Sequence, residues 1–176
     1  MSAIFQRRSV RSYLPKPVES DKIERLLRAG MEAPSAHNRR PWEFLVITDK
    51  ADRQAIADMS PYAKMMPSAA AAIAVCANLD LGGGGDLEDT WWVQDLAAAT
   101  ENILLQIVEE GLGGVWLGWY PDKNRVGAFS QRFGLPGNIV PFAVIALGYP
   151  DPEKVPEKKD RFDPRRVYYG AYGKQK

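Results

Sequence analysis

The sequence predicts an α+β domain, a mixed sheet flanked by helices. Two observations lead there. Four apolar runs of strand length, at 42–47, 70–79, 115–119 and 139–149, alternate with four stretches of helical apolar spacing, near 21–33, 49–59, 90–110 and 124–133. A chain of 176 residues, 45% apolar and 26% charged, is also long enough to bury one real core.

The elements follow in order. Pro15 and Pro17 break the chain after its arginine-rich start. A helix then begins at Asp21 as N-cap with Glu24 three residues on, and Ile23, Leu26, Leu27 and Met31 form its apolar face. It ends before Pro34, because the residue preceding a proline is pushed out of the helical region. Pro34 to Pro41 is a polar loop and Trp42 to Ile47 a strand. Asp49 caps a short helix carrying Ile56 and Met59. The small residues of Ala70 to Leu79 predict a central strand buried on both faces, and Gly82 to Gly85 a flexible loop.

The longest helix runs from about Thr90 to Glu110, with Leu96, Ala99, Ile103, Leu104 and Ile107 on one face and Gly111 at C′. Alanines 97–99 permit close approach of another helix, including one from a second subunit. Val115 to Trp119 reads as a strand, Asn124 to Phe133 as a helix and Ile139 to Tyr149 as the last strand. From Pro150 the composition turns to proline and charge, which cannot form its own core. Phe162, Tyr168, Tyr169 and Tyr172 in that tail suggest an arm laid over a partner subunit rather than a disordered end.

Composition excludes several functions. Lysine and arginine total 23 against 22 acidic residues, a net charge of +1, so no field for nucleic acid or membrane is expected. No apolar run is long enough to span a bilayer or to act as a signal peptide, so the expected location is the cytoplasm. The single cysteine, Cys76, lies in an apolar run and reads as a buried structural thiol. With one histidine and one cysteine, no metal site is legible. Gly82-Gly83-Gly84-Gly85 lacks the Gly-Lys-Ser/Thr of a phosphate loop, and Gly111-Leu112-Gly113-Gly114 leads into a strand rather than a helix. His37 lies in a polar loop, as a catalytic base, a residue near a ligand or neither. A nucleophile elbow is also missing. Such a chain suits a bound cofactor that carries the chemistry.

The strongest local signal is Arg7-Arg8-Ser9-Val10-Arg11. Guanidinium groups match phosphate bidentately, so the cluster reads either as a phosphate grip or as a solvated basic end. Three further segments accompany it. They are Ala33-Pro34-Ser35-Ala36-His37-Asn38-Arg39-Arg40-Pro41-Trp42, then Gly111-Leu112-Gly113-Gly114-Val115-Trp116-Leu117-Gly118, then Leu147-Gly148-Tyr149-Pro150 with Arg161 beyond. In this order and spacing, the four segments resemble the nitroreductase family of FMN-dependent oxidoreductases, in its shorter subgroup.

The resemblance implies a mainly antiparallel sheet and an intertwined homodimer with swapped C-terminal arms. Residues 1–150 would form the FMN-binding domain, and 151–176 an arm serving the dimer and the phosphate site. Arg7, Arg8 and Ser9 would hold the FMN phosphate or ribityl chain, with Arg161 closing over the phosphate. Arg11 would face the N1 and O2 edge of the flavin, where a cation stabilises negative charge. Ser35 and Asn38 would reach the flavin from the neighbouring subunit, and Trp116, Leu117 and Gly118 would pass along its ring. Arg40 stands where the family often has glutamine; it would raise the flavin potential, recruit an anionic substrate, or turn outward and do neither. Gln94, Asp95 and Asn102 are candidates for the dimer interface. The implied reaction is ping-pong transfer from NAD(P)H to a small-molecule acceptor such as a nitroaromatic or quinone, with no protein acid or base named. Dehalogenation, flavin fragmentation and non-catalytic flavin binding or regulation are the alternatives.

Overall fold

The computed structural model describes residues 2–82 and 90–175. Its centre is a four-stranded sheet of β1 (Trp42–Ile47), β2 (Ala71–Asn78), β3 (Gly113–Gly118) and β4 (Ile139–Gly148), ordered β1-β2-β4-β3. The inner pair, β2 and β4, is buried almost completely because both faces are covered. On one face Ile73, Val75, Ile145 and Leu147 pack with Leu26 of α2 (Ser20–Met31) and with Leu96, Ile103 and Ile107 of α5 (Trp91–Glu109). On the other, Ala72, Ala74, Val144 and Ala146 pack with Ile56 of α3 (Lys50–Met59), Met66, Trp119 and Phe129 of α6 (Lys123–Phe133). Alanine at alternate positions lets layers approach closely on both sides, and complete burial of strands on two faces accounts for runs without polar alternation.

All four strands pair antiparallel, which corrects the expected mixed sheet. The parallel component among the described residues is one isolated bridge, Ser9 to Gly114. It goes no further because the N-terminal segment turns away at once and makes an antiparallel bridge from Tyr13 to Pro150. The β2–β4 register slips between Val75 and Cys76, opposite Pro141 and Phe142. Proline has no N–H to give a ladder, so a bulge is where a central strand tolerates it. The Phe142 carbonyl then accepts from the amides of both Trp119 and Tyr120 at 3.0 Å.

Helix ends follow the sequence with two exceptions. Asp49 accepts from Ala51 N and Asp52 N, and Asp122 accepts from Asn124 N and Arg125 N. Gly111 and Gly134 close α5 and α6 with φ of +69° and +64°, a region that L side chains avoid. At α2, however, the cap is Glu19 without a side-chain bond, and Asp21 lies in the first turn, paired instead to Arg25 at 2.9 Å. Glycine 82 is not in a loop but ends the short α4 (Leu79–Gly82) and is buried; Gly83 to Gly85 lie outside the described residues. A short α1 (Ala3–Gln6), which carries no recognisable sequence signal, precedes the arginine cluster.

Two expected interface residues serve the fold of this chain. Asn102 Nδ2 donates to Ala29 O at 3.1 Å, and Asp95 is buried under the 35–40 loop. Cys76 is buried as expected, and that burial, reinforced by the Glu43 carboxylate, pushes its thiol up to about 12. No helix among the described residues is long and apolar enough to cross a membrane.

The N-terminal segment is locked against the edge strand β3. Val10 N donates to Gly114 O at 3.0 Å, and the Tyr13 hydroxyl lies 2.7 Å from Val10 O and 3.1 Å from Ala146 O. The Val10 side chain fills a notch over Gly113, where an added Cβ would come within 2.8–3.0 Å of three Val10 atoms, including its Cβ. Relief therefore requires moving the Val10 backbone. Gly113→Ala is expected to cost about 1–3 kcal/mol through overpacking, read as a lower denaturant midpoint with an unchanged slope. Unaltered stability would mean that the segment is not held by this notch.

Candidate functional site

Two of the clefts that open on the segment 7–11 carry several cations each. The first, of about 620 Å³, is walled by α1 and Arg7 and Arg8 on one side and by residues 157–162 of the tail on the other. Arg161 therefore meets Arg7 and Arg8 across one cleft, although more than 150 residues of chain separate them. Its lining carries Arg7, Arg8, Lys158, Lys159 and Arg161 against Glu157 and Asp160, so its net potential is positive. The arginines are held differently. Arg7 Nε is 3.3 Å from Glu101 of α5. Arg8 donates from Nη1 to Gln6 O at 2.5 Å, while its Nε is sealed from solvent without an acceptor. An unpaired buried donor on a cation costs free energy until an acceptor arrives.

The second cleft, of about 510 Å³, contains Arg11 together with Trp116, Leu117 and Gly118 at the end of β3. Its opposite wall is Ser60 to Tyr62, Lys64 and Met65, with Arg125 of α6. Trp116 is half-buried, edge-on to Phe142 at 5.8 Å between ring centroids, and Leu117 is buried. Arg125 is fixed by Gly118 O at 3.2 Å and Asp122 at 3.2 Å, and lies 5.4 Å from the Tyr62 ring centroid. Arg11 is exposed, with one long bond of 3.4 Å from Nη1 to Ser9 O, so its charge is available to the cleft. Lys64, Tyr62 and Arg125 were not singled out by sequence. Lys64 and Tyr62 precede the strand in a turn without a motif, and only the fold sets them opposite Trp116.

Ser35, Asn38 and Arg40 line neither cleft. They form a strained knot ahead of β1, on the edge of the sheet opposite β3. His37, Asn38 and Arg40 have φ of +52°, +56° and +49°, a cost that persists only where surroundings impose it and that clusters at functional sites. Arg40 N donates to Ser35 Oγ at 3.0 Å, and Arg40 Nε donates to Asn38 Oδ1 at 2.9 Å. Thus Arg40 turns along its own loop and orients the Asn38 amide. Asp95 of α5, buried, accepts from Ala36 N at 2.9 Å and moors the loop. His37 is exposed. Among the described residues, no group of three or more His, Cys, Asp or Glu side chains could hold a metal ion.

The model of the nitroreductase family matches residues 4–72 and 60–149. The chain belongs to the nitroreductase family. A relative from Archaeoglobus fulgidus, provisionally named NADH dehydrogenase/NAD(P)H nitroreductase, is 43% identical over 96% of this chain and 95% of its own. The crystal structure of a protein from Clostridium acetobutylicum, provisionally named an NADH oxidase, is 42% identical with a TM-score of 0.90, covering 97% of this chain and 100% of that one. An FMN-dependent nitroreductase from Clostridium difficile R20291 is 25% identical with a TM-score of 0.84, over 97% and 99% of the two chains.

In this nitroreductase-family chain the 35–40 loop depends on one buried carboxylate. Asp95→Ala is expected to cost about 1.5–3 kcal/mol, the range for a hydrogen bond to a charged group, and to speed native-state exchange of the Ala36 amide. Exchange at the wild-type rate would show that the knot of Ser35, Asn38 and Arg40 holds itself.

Proposed function

We propose that the chain is an FMN-dependent NAD(P)H oxidoreductase acting on a small oxidised acceptor, such as a nitroaromatic or quinone, by a ping-pong cycle. The observation that carries this reading is the meeting of Arg7, Arg8 and Arg161 in one cleft while Arg11 faces Trp116–Gly118 in the next. The residues fit the cofactor: a cationic cleft with an unsatisfied guanidinium Nε suits its phosphate, and a cleft pairing a cation with an aromatic and a bare glycine suits its ring. When bound, FMN supplies the hydride and electron chemistry.

The chain's own residues divide the rest of the work. Arg8 and Arg161 hold the phosphate, with Ser9 beside them. Arg7 contributes less, because Glu101 already occupies part of its guanidinium. Arg11 places positive charge at the ring edge, and Trp116, Leu117 and Gly118 form the surface along it. Ser35 and Asn38 contribute to the site of a second copy, with Arg40 acting on Asn38 rather than on substrate.

The active form in this reading is a homodimer in which the arm beyond Phe162 crosses to the partner, because residues 157–162 already line the Arg7–Arg8 cleft of their own chain. In support, the tail and α1 leave large apolar side chains uncovered: Ile4, Phe5, Phe162 and Tyr172 are 61%, 65%, 74% and 91% exposed. Ile4, Phe5 and Phe162 line one cleft, and exposed apolar groups gathered in this way mark an interaction surface. Light scattering of the FMN-loaded protein should give twice the chain mass of 19.6 kDa; an FMN-loaded monomer would contradict the arrangement.

The purified protein should be yellow and bleach anaerobically on addition of NADH or NADPH; a protein that refuses FMN would sink the reading. Arg8→Ala and Arg161→Ala should each weaken FMN binding about ten- to a hundredfold, the equivalent of roughly 1.5–3 kcal/mol for a charged hydrogen bond. Unchanged FMN affinity in both variants would place the phosphate elsewhere.

A further inference from the structure

Arg53, in α3, is an anomaly of burial. It is only 8% exposed, yet it makes no ion pair among the described residues; its Nη1 donates to Thr48 O, and its Nε is sealed from solvent without an acceptor there. A guanidinium taken out of water without a counter-charge is costly. If its task were only to hold the Thr48 carbonyl, a neutral donor would do the same without the charge.

Arg53 lines a cleft of about 400 Å³ between the segment 13–17, the start of α3 and residues 67–70. Lys16 and Lys50 line it too, and no acidic residue does among those described. Lys50 forms no ion pair among the described residues. The Lys16 ammonium sits at the rim, 3.8 Å from the Tyr149 ring centroid and 4.0 Å from Glu19. Asp49, the nearest acid in sequence, is turned to cap α3. The hydroxyl-bearing Thr48 and Ser68 complete the polar wall, and Pro15, Pro17 and Pro67 supply an apolar one. Two cations, Arg53 and Lys50, therefore line one concavity with Lys16 at its rim, and no acid lines it among the described residues.

We infer that this cleft is a binding site for a phosphomonoester. Its phosphate would pair with Arg53 and Lys50, matching the oxyanion preference of a guanidinium fork. The volume lies within the range of small-molecule sites and exceeds what an inorganic oxyanion fills, so the organic part of the ligand would lie on the prolines. The lining of this site shares no residue with either cationic cleft of the arginine cluster. It is thus separate from the proposed FMN grip, and its assignment does not rest on that reading.

Calorimetric titration of the protein carrying one FMN per chain and freed of excess FMN, in low-salt phosphate-free buffer, tests the inference. Adenosine 5′-monophosphate and inorganic phosphate serve as probes. One adenosine monophosphate per chain should bind, more tightly than inorganic phosphate. Arg53→Met should raise its Kd at least tenfold and Lys50→Gln severalfold, while Arg8→Ala should leave it unchanged. Should Arg53→Met fail to fold, the double variant Lys16→Gln/Lys50→Gln replaces it with the same expected loss. The inference is overturned if the wild type binds neither probe, or if the Arg53 and lysine variants bind as the wild type does. Loss of binding in Arg8→Ala would overturn it too, by placing the anion in the other cleft. Inorganic phosphate binding as tightly as the nucleotide would overturn the phosphomonoester in favour of a bare oxyanion.

Discussion

Burial of the β2–β4 pair on both faces is the constraint from which the remaining architecture follows. A strand covered on two sides cannot spend side chains on solvent, so alternation of polar and apolar residues disappears and volume becomes the variable. Alanine at 71, 72, 74, 77, 143 and 146 keeps the layers thin enough for α5 to lie on one side and for Trp119 and Phe129 to fill the other. Once both faces are taken, functional groups are left only the ends and edges of the sheet. The clefts described here lie there.

The arginine cluster reaches its place by steric fit rather than by a regular element. Residues 9 and 10 approach β3 where Gly113 and Gly114 have no side chains, and Tyr13 ties Val10 back to the central strand. The close approach fixes the direction in which residues 7 and 8 leave the sheet, and with it the cleft they share with the tail. At the far end, the Pro141 bulge turns the Phe142 carbonyl toward Trp119 and Tyr120, which sets where β3 stops and Gly118 becomes exposed. Two local departures from regular sheet geometry thus bracket the second cleft.

Strand and helix positions were legible because they depend on periodicity and capping, both local. The cap of α2 was misread because Asp21 had a competing partner, Arg25, one turn away. The mixed sheet was expected from alternating strand and helix patterns, which do not fix strand direction; among the described residues the parallel pairing is the isolated bridge of Ser9 with Gly114. Arg7, Arg8, Arg11, Trp116 and Arg161 were found through the family's motifs, and the fold sets them in two shared clefts. Tyr62, Lys64 and Arg125 escaped because nothing in their local sequence distinguishes a cleft wall from a surface turn. The same holds for Arg53, whose significance lies in what it fails to touch, a property that no sequence pattern encodes.

A net charge of +1 conceals how unevenly charge is satisfied. Many cations of this chain are partnered close by: Arg25 with Glu110 and Asp21, Arg28 with Glu24, Arg132 with Asp52, and Arg165 and Arg166 with Asp163. Exposed pairs of this kind contribute little to stability, but they remove positive charge from the surface field. Each of the three clefts nevertheless holds cations without an ion pair among the described residues: Arg8 and Arg161 in one, Arg11 and Lys64 in the second, Arg53 and Lys50 in the third. Low-dielectric walls focus the potential of such groups, and a near-neutral remainder avoids drawing anions to the wrong surface. Under the proposed function, the paired surface and the unpaired cations of the clefts work together, leaving the anionic groups of small molecules their strongest attraction in the clefts.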